Sequence, residues 1–529
     1  MRLKLLLISI VLLAAILRLY RLANAPPSLY WDEASIGYNA YSIAQTLRDE
    51  HGEFLPLTRF IAFGDYKPPG YIYAAALSVK LFGPTEFVVR LPSAAAGTLL
   101  VLVSFYLARM LTGNAKLGLV TAALLAVSPW ALQFSRGAFE ANLATLFSSA
   151  GLYFFVRTIR TKTLASGISS AVFFALSLYT FNSHRVFVPA VIGALGLIYF
   201  REIWRSRGQW LVFLLALLLL LAPLIPHLLS REGQLRFYEV TWLNDLAPIE
   251  LSNSRTAVDG NTWWSGLIHN RRIIFSQEFL KHYTDHFRAE FLFFSGDVNP
   301  RLSIQTVGEM YWLDLPLLLI GVFILVKKRR RAALVLLAWV VLSPVPAATA
   351  RETPHALRIL HILPSLQIVA AFGLLTFWKL DSFKKIRLLL VPIYGLFIIM
   401  YLHDYYVHYP KFYSSDWQYG YKEMVGFVSS LQDKYDHISV TDTLGRPYIY
   451  LLFYQKYPPE KYWANRQVRR DWYGFWYVDG FDKYTFGGPL PPGRSLIVSG
   501  PQPIPGNWQL LKSVTDPQGN TVFQISEKD

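Results

Sequence analysis

Two adjacent carboxylates, Asp32 and Glu33, stand in the stretch SLYWDEASIGYNAY (28–41), directly after the first apolar run of the chain. Like charges side by side near a low-dielectric boundary are unfavourable unless cations or hydrogen bonds compensate. Such a pair suits a general base that takes the proton of a hydroxyl nucleophile, its neighbour positioning substrate or partner groups. It equally suits the first turn of a surface helix, where acidic side chains meet the positive end of the helix dipole and Asp32 acts as a cap. Other polar residues on the same face would favour the chemistry.

Five further motifs supply candidates. In Asp65-Tyr66-Lys67-Pro68-Pro69-Gly70, the Lys67 ammonium stands beside a rigid Pro-Pro step. A point charge there suits a phosphate, or else it snorkels at the interface. In FSRGAFEAN (134–142), Arg136 and Glu140 are spaced to pair on one helix face. Glu140 opens an apolar run, where an ionisable side chain is expensive and points to function. In YTFNSHR (179–185), Tyr179, Asn182, His184 and Arg185 offer donors and a cation to sugar hydroxyls and a phosphate. His184 taken alone reads as a satisfied structural histidine. ARETPHALR (350–358) sets Arg351, His355 and Arg358 against Glu352, either an anion site or the start of an interfacial helix after Pro354. GDVNPR (296–301) adds Asp297 and Arg301 before Gly308-Glu309-Met310-Tyr311. Asp32, Glu33 and Glu140 are hard oxygen ligands suited to Mg²⁺ or Mn²⁺, so a divalent cation stays open without being required.

The elements that must position these residues are membrane helices. The chain has 529 residues, 53% of them hydrophobic and 16% aromatic. Repeated apolar runs of about 20 residues at that composition mark a polytopic membrane protein. The net charge of +16 sits in short gaps: Arg157, Arg160 and Lys162; Arg201, Arg205 and Arg207; Lys327 to Arg331; Lys384, Lys385 and Arg387. That is the positive-inside pattern and contact with lipid headgroups, not a nucleic-acid surface. Cysteine is absent, which excludes thiolate metal sites and cysteine nucleophiles.

Spans are expected at 4–20, 86–110, 116–134, 139–157, 164–181, 186–200, 211–229, 311–326, 332–349, 358–378 and 388–403, about eleven crossings. The N-terminus then lies inside and the C-terminus outside, and every basic cluster named above falls on the inner side. Ala23-Asn24-Ala25 resembles a signal-peptidase site, whereas Arg18 and Arg21 argue for a retained helix with snorkelling arginines. The expected organisation is a membrane catalytic domain over 1–405 and a small extracytoplasmic α/β domain over 406–529. The first part carries an outer loop at 21–85, with a surface helix at 33–48 and an apolar Gly70–Phe82 too short to span. A second long outer loop covers 230–310, helical around 270–290. The second part reads as a helix at 416–431, a strand at 437–441, a helix at 448–455 and a strand at 494–498. No internal repeat is evident.

No HExxH, Walker loop, GxGxxG opening a Rossmann unit or GxSxG is present, so peptidase, ATPase and Rossmann-type nucleotide-sugar chemistry are disfavoured. The ordered set of Asp32-Glu33 after one span, the Lys67-Pro68-Pro69 step, Glu140 after a further span and an aromatic-rich loop ending in Arg185 resembles the GT-C membrane glycosyltransferases. The likeness is to the family 39/83 group of protein O-mannosyltransferases and aminoarabinose transferases, over about residues 1–405. The resemblance implies an inverting transfer from a polyprenyl-phosphate sugar to a hydroxyl acceptor at the outer membrane face, and the short loops between spans suggest a prokaryotic cell envelope. By it, Asp32 matches the catalytic acidic residue with Glu33 beside it, and Glu140 matches the second acidic position. Lys67 matches the lysine near the donor phosphate, and Arg185, Arg358 and His355 are further phosphate contacts. Tyr66, Tyr179, Asn182, His184, Asp297 and Arg301 are then substrate-binding. Trp263-Trp264 is followed by Ser265, not Asp, which departs from the oligosaccharyltransferase branch. The acceptor, whether protein, lipid or glycan, stays open. A flippase for a lipid-linked sugar is the alternative, although such transporters place their sites near the bilayer midplane between repeats. A third reading is a surface scaffold whose aromatic stretch YGFWY (473–477) binds glycan.

Overall fold

The computed structural model describes residues 1–63, 65–380, 384–471, 475–487, 493–502, 506 and 508–528, without the side chains of Asp65, Arg236, Lys384, Ile386 and Arg387. Tyr473 and Gly474 of the aromatic stretch lie outside the described residues, as do the side chains of Lys384 and Arg387 in the last basic cluster.

Helices lie within each expected span and the protein is mostly helical, but the helices are less uniform than the hydropathy implies. Among the described residues, Glu86–Thr112, Arg330–Thr349, Leu360–Phe377 and Leu388–Phe412 are each long and apolar enough to cross a bilayer. A fifth candidate is a bent pair, Ala115–Val127 and Pro129–Arg136, set at 57° to one another. The single straight span expected at 116–134 is therefore corrected. Pro129 supplies no N–H and pushes Ser128 to an extended backbone, φ −61 and ψ 130, so the helix stops and restarts. A milder break falls at Ala222-Pro223, where both residues keep helical angles, and it divides 211–229 into Arg207–Leu221 and Leu224–Leu229. Gly70–Phe82, Leu164–Leu178, His184–Ile198 and Arg207–Leu221 are apolar but shorter than the ~20 residues a straight crossing needs.

The chain divides into two compact units. The first comprises Met1–Ile10, Leu100–Ala131 and Ala144–Tyr394. Its core joins Phe155, Phe187, Trp210, Phe213, Leu317, Trp339 and Ile368. Asp314–Lys328 and Ser365–Phe377 approach at backbone contact: a Cβ on Gly321 would lie 2.0 Å from the Val369 carbonyl oxygen, and one on Gly373 1.8 Å from that of Leu317. Small residues at such crossings are how membrane helices gain packing where lipid removes the hydrophobic drive. Leu214, Leu215, Leu218 and Leu219 of Arg207–Leu221 are exposed, an apolar face fit for lipid.

The second unit comprises Val11–Leu99, Leu132–Leu143 and Gly395–Asp529. The expected boundary at 405/406 falls inside it. In chain order it contains the C-terminal half of α1 (Arg2–Leu19), then α2 (Trp31–Thr46), a hairpin of β1 (Phe60–Ala62) and β2 (Asp65–Lys67), α3 (Gly70–Phe82) and the head of α4 (Glu86–Thr112). The later part holds a seven-stranded sheet of β3 (His437–Val440), β4 (Arg466–Arg470), β5 (Trp476–Phe481), β6 (Tyr484–Phe486), β7 (Ser495–Ser499), β8 (Gln509–Thr515) and β9 (Thr521–Lys528). The order is β4-β5-β6-β3-β7-β9-β8, with β3 parallel to both neighbours and the other pairs antiparallel. Helices Tyr421–Leu431 and Pro447–Tyr454 accompany the sheet. The second packs on α2 so closely that a Cβ on Gly37 would lie 2.5 Å from the Phe453 ring.

Candidate active site

The two adjacent acids do different work because a helix turns about 100° per residue. Asp32 and Glu33 lie in the first turn of α2, whose N-cap is Tyr30. Glu33 turns inward. It accepts from Arg90 Nε and Nη2 at 2.9 Å each, from the Ala138 N–H at 2.8 Å and from the Tyr30 N–H at 3.1 Å. The remaining Arg90 donors reach the carbonyls of Leu22 (3.0 Å), Pro26 (2.8 Å) and Ser28. All five guanidinium N–H groups of Arg90 thus have acceptors, and its side chain is 0% exposed. A buried ion pair is tolerated when its remaining hydrogen-bonding positions are satisfied, as here. The helix-start role that sequence allowed Asp32 falls to Glu33, which accepts the N-cap amide.

Asp32 turns outward. Its carboxylate accepts from Lys67 Nζ at 2.7 Å, and the Lys67 ammonium lies 4.0 Å from Glu140 Oε1. Lys67 is buried, Glu140 is 16% exposed and Asp32 is 45% exposed, so only Asp32 presents substantial carboxylate surface to solvent. The hairpin explains the lysine. β1 and β2 pair Phe60 with Lys67, and Pro68-Pro69 then hold the chain rigid into the start of α3. Glu140 arrives through Glu33: the Ala138 amide bonded to Glu33 fixes the turn that opens Glu140–Thr161. The Lys67 ammonium is within 4.0 Å of both Asp32 and Glu140, and Glu33 is committed to Arg90, so the three carboxylates do not present as a set of Mg²⁺ or Mn²⁺ ligands.

Arg136 does not pair with Glu140, as its spacing allowed. Its Nη1 donates to the carbonyls of Leu17 (2.7 Å) and Arg18 (3.1 Å), and its Nη2 to those of Tyr20 (2.7 Å) and Ala25 (2.9 Å). It therefore closes the C-terminal end of α1, where orphan carbonyls favour a cation. Tyr405 and Tyr406 cover its charge, their ring centres 5.2 and 4.9 Å away. Arg18 is also corrected: it does not snorkel but is fully buried, donating to Ser135 Oγ and the Ala14 carbonyl. The C-terminal part braces α2 from its other side. Gln418 accepts from the Trp31 amide at 2.9 Å and Tyr450 at 2.7 Å. Tyr448 donates to Glu50, which also binds Asn39 of α2. Burial pushes the Glu50 carboxyl up to about 7 and that of Asp49 up to about 6. Tyr66 is buried beneath the Arg59 guanidinium.

The remaining sequence candidates belong to the first unit. Tyr179 donates to the Leu220 carbonyl at 2.9 Å, and Arg185 Nε to that of Leu178 at 3.3 Å. Asn182 is half-buried, and His184 is fully buried with its ring 5.0 Å from that of His361. Asp297 is buried, accepting from the amides of Asn299 (2.9 Å) and Ala356 (2.7 Å), while its own amide donates to Glu309 at 3.1 Å. Burial raises Asp297 to about 6 and Glu309 well above the carboxylate range. Those bonds fasten the 350–358 loop to the 296–310 loop. His355 Nδ1 lies 3.9 Å from Asp297, Arg301 reaches Asn299 at 3.3 Å, and Arg358 is half-buried beside the Glu352 carbonyl at 3.5 Å. Arg351 is exposed and paired with Asp245 at 2.7 Å. Sequence reasoning missed Arg90. The signal was present: an arginine inside an apolar span is expensive and needs a partner.

Residues 66–227 match the family model described as dolichyl-phosphate-mannose-protein mannosyltransferase. No curated protein sequence matches the chain. Among solved structures, the fold is similar to that of ArnT from Cupriavidus metallidurans in the apo state, at a TM-score of 0.57 and 12% identity, over 99% of this chain and 97% of that one. The structure of ArnT bound to undecaprenyl phosphate gives 0.55 with the same coverage. The archaeal oligosaccharyltransferase AglB from Archaeoglobus fulgidus gives 0.49 at 12% identity, over 85% of this chain, which spans only 63% of that longer protein. The chain thus carries a fold similar to that of ArnT, and its residues 66–227 match the mannosyltransferase family model.

Proposed function

We propose that this protein is an inverting glycosyltransferase that moves a sugar from a polyprenyl-phosphate donor to a hydroxyl acceptor, with Asp32 as general base. The observation that carries the proposal is the half-exposed Asp32 carboxylate held 2.7 Å from a buried Lys67, with Glu140 4.0 Å beyond on the same ammonium. The acceptor oxygen attacks the anomeric carbon, its proton passes to Asp32, and the bond from that carbon to the phosphate oxygen breaks with inversion. The electron pair leaves on polyprenyl phosphate, a good leaving group that needs no strong general acid. Catalysis reduces to positioning, proton removal and stabilising negative charge. A donor phosphate competes with Asp32 for the Lys67 ammonium, so donor binding itself frees the base. Glu33 acts through Arg90 and Ala138 as a positioning residue.

The solved structure of ArnT with undecaprenyl phosphate supports a donor of this chemistry. The flippase alternative is not favoured, since the family segment and the fold are those of sugar transferases. We place about eleven crossings, with the N-terminus cytoplasmic and Asp32 and residues 406–529 outside. This rests on the basic clusters between helices. The acceptor class is a protein, lipid or glycan hydroxyl. Purified protein incubated with undecaprenyl- or dolichyl-phosphate sugars should release free polyprenyl phosphate in step with sugar transfer. Donor movement between leaflets without release would establish the transporter instead.

A further inference from the structure

The apolar run that begins after Arg387 ends at Leu402, and the next residues are His403, Asp404 and, four further on, His408. In an α-helix His403 and His408 would point roughly 140° apart. Here Asp404–His408 is a π-helical turn, and its wider winding brings residues five apart onto one face. The two imidazole rings come to 4.8 Å between centres, at 85° to one another. Asp404 Oδ1 lies 2.8 Å from His408 Nδ1 and 3.9 Å from His403 Nδ1. One donor atom from each of the three lies within 4.8 Å of the others, the one such group among the described residues. Their side chains are 59%, 28% and 49% exposed in chain order, and they stand at and beyond the expected end of the last span at 403, where a water-borne ion would reach them.

We propose that His403, Asp404 and His408 form a site for a divalent transition metal of the zinc class. It is separate from the Asp32–Lys67 cluster and from any Mg²⁺ or Mn²⁺ requirement. Two imidazoles and one carboxylate suit Zn²⁺, Cu²⁺ or Ni²⁺ over the hard cations, with water at the open position. A tetrahedral ion with bonds of about 2.0–2.1 Å holds its donors roughly 3.3 Å apart, so the present spacing closes by small rotamer changes. Binding would replace the present Asp404–His408 contact with two bonds to the ion. The ion would pin the π turn, and that turn carries Tyr405 against Arg136 at 5.2 Å. Tyr409 follows directly and accepts from Gln133 at 2.9 Å and Trp417 at 2.7 Å. The site is therefore a strut beneath the arginine that fastens the loop before Glu140.

The test uses full-length protein in detergent, purified without a polyhistidine tag, stripped with chelator and titrated with CoCl₂. One equivalent of Co²⁺ should bind with visible d–d absorption of a four-coordinate site, bleached by ZnCl₂, and Zn²⁺ should raise the thermal midpoint. His403→Ala and His408→Ala should each weaken binding at least tenfold and remove the Zn²⁺-dependent shift, while His269→Ala leaves both intact. Absence of stoichiometric binding in the parent protein overturns the proposal. So does undiminished binding in the His403→Ala/His408→Ala double variant.

Discussion

Replacing Asp32 and Glu33 one at a time separates chemistry from architecture, because neighbours in sequence occupy opposite environments. Asp32→Asn removes a charge that is 45% exposed and has its ion pair with Lys67 at the site's edge. Only the Asp32 side of this pair is exposed, but the buried Lys67 keeps Glu140 at 4.0 Å, so the loss should stay near the exposed-pair range of about 0.2–1 kcal/mol. The thermal midpoint should therefore move by only a few degrees, about 2–4 °C at most. Turnover should fall by about 10²- to 10⁴-fold, the usual worth of a general base, which corresponds to about 2.7–5.5 kcal/mol of barrier. Donor affinity should be largely retained. Glu33→Gln inverts the pattern. Its two oxygens accept four bonds from Arg90, Ala138 and Tyr30, and an amide nitrogen at either position faces donors. Breaking one side of a buried ion pair costs about 3–5 kcal/mol, a large part of the stability of any domain. That variant should lose its thermal midpoint first and its activity as a consequence. The assay is release of polyprenyl phosphate from a matched sugar donor, run beside thermal unfolding on the same preparations. An Asp32→Asn protein turning over within threefold of the parent would refute the reasoning. Equal destabilisation by the two substitutions would return Asp32 to a structural role.

Lys67→Ala should weaken binding of polyprenyl phosphate by about 10- to 100-fold, the worth of a charge-assisted hydrogen bond, read by equilibrium titration with the unglycosylated lipid phosphate. Glu50 gives a pH signature. Its folded carboxyl lies at about 7 against an ordinary 4.5, so the folded state holds a proton that the unfolded chain has released between those values. Stability from this group is therefore greatest below about 4.5 and falls as pH rises to about 7, on the order of 3 kcal/mol in all. Glu50→Gln should flatten that fall in midpoint-against-pH curves. A slope that is unchanged in the variant assigns the dependence elsewhere. Gly373→Ala should destabilise the first unit by at least 1–3 kcal/mol, because its Cβ would lie 1.8 Å from a backbone oxygen. Gly395→Ala, with nothing within 4 Å of the added carbon, should be neutral in the same melting experiment.

Much of this protein is written in local sequence. The apolar runs alone set where helices form, down to Gly70–Phe82, and proline placement is what breaks 116–134 and 211–229. Alternation and turn residues gave a strand at His437–Val440 and a helix at Pro447–Tyr454, close to the expected bounds. Asp32 and Glu140, both of which the fold brings within 4.0 Å of the Lys67 ammonium, and Lys67 itself were also legible as candidates, since charge at the end of an apolar run is costly wherever it occurs. Partners were not. Spacing on one helix offered Glu140 to Arg136, yet the folded chain gives that arginine the backbone carbonyls between Leu17 and Ala25. Spacing offered Asp32 as the helix cap, and Glu33 accepts the amide instead, held by an arginine 57 residues away. A sequence fixes which groups are charged and which segments coil, because both depend on near neighbours. Which of two adjacent carboxylates faces solvent depends on long-range hydrogen bonds to buried donors, and only the tertiary structure brings those donors into place.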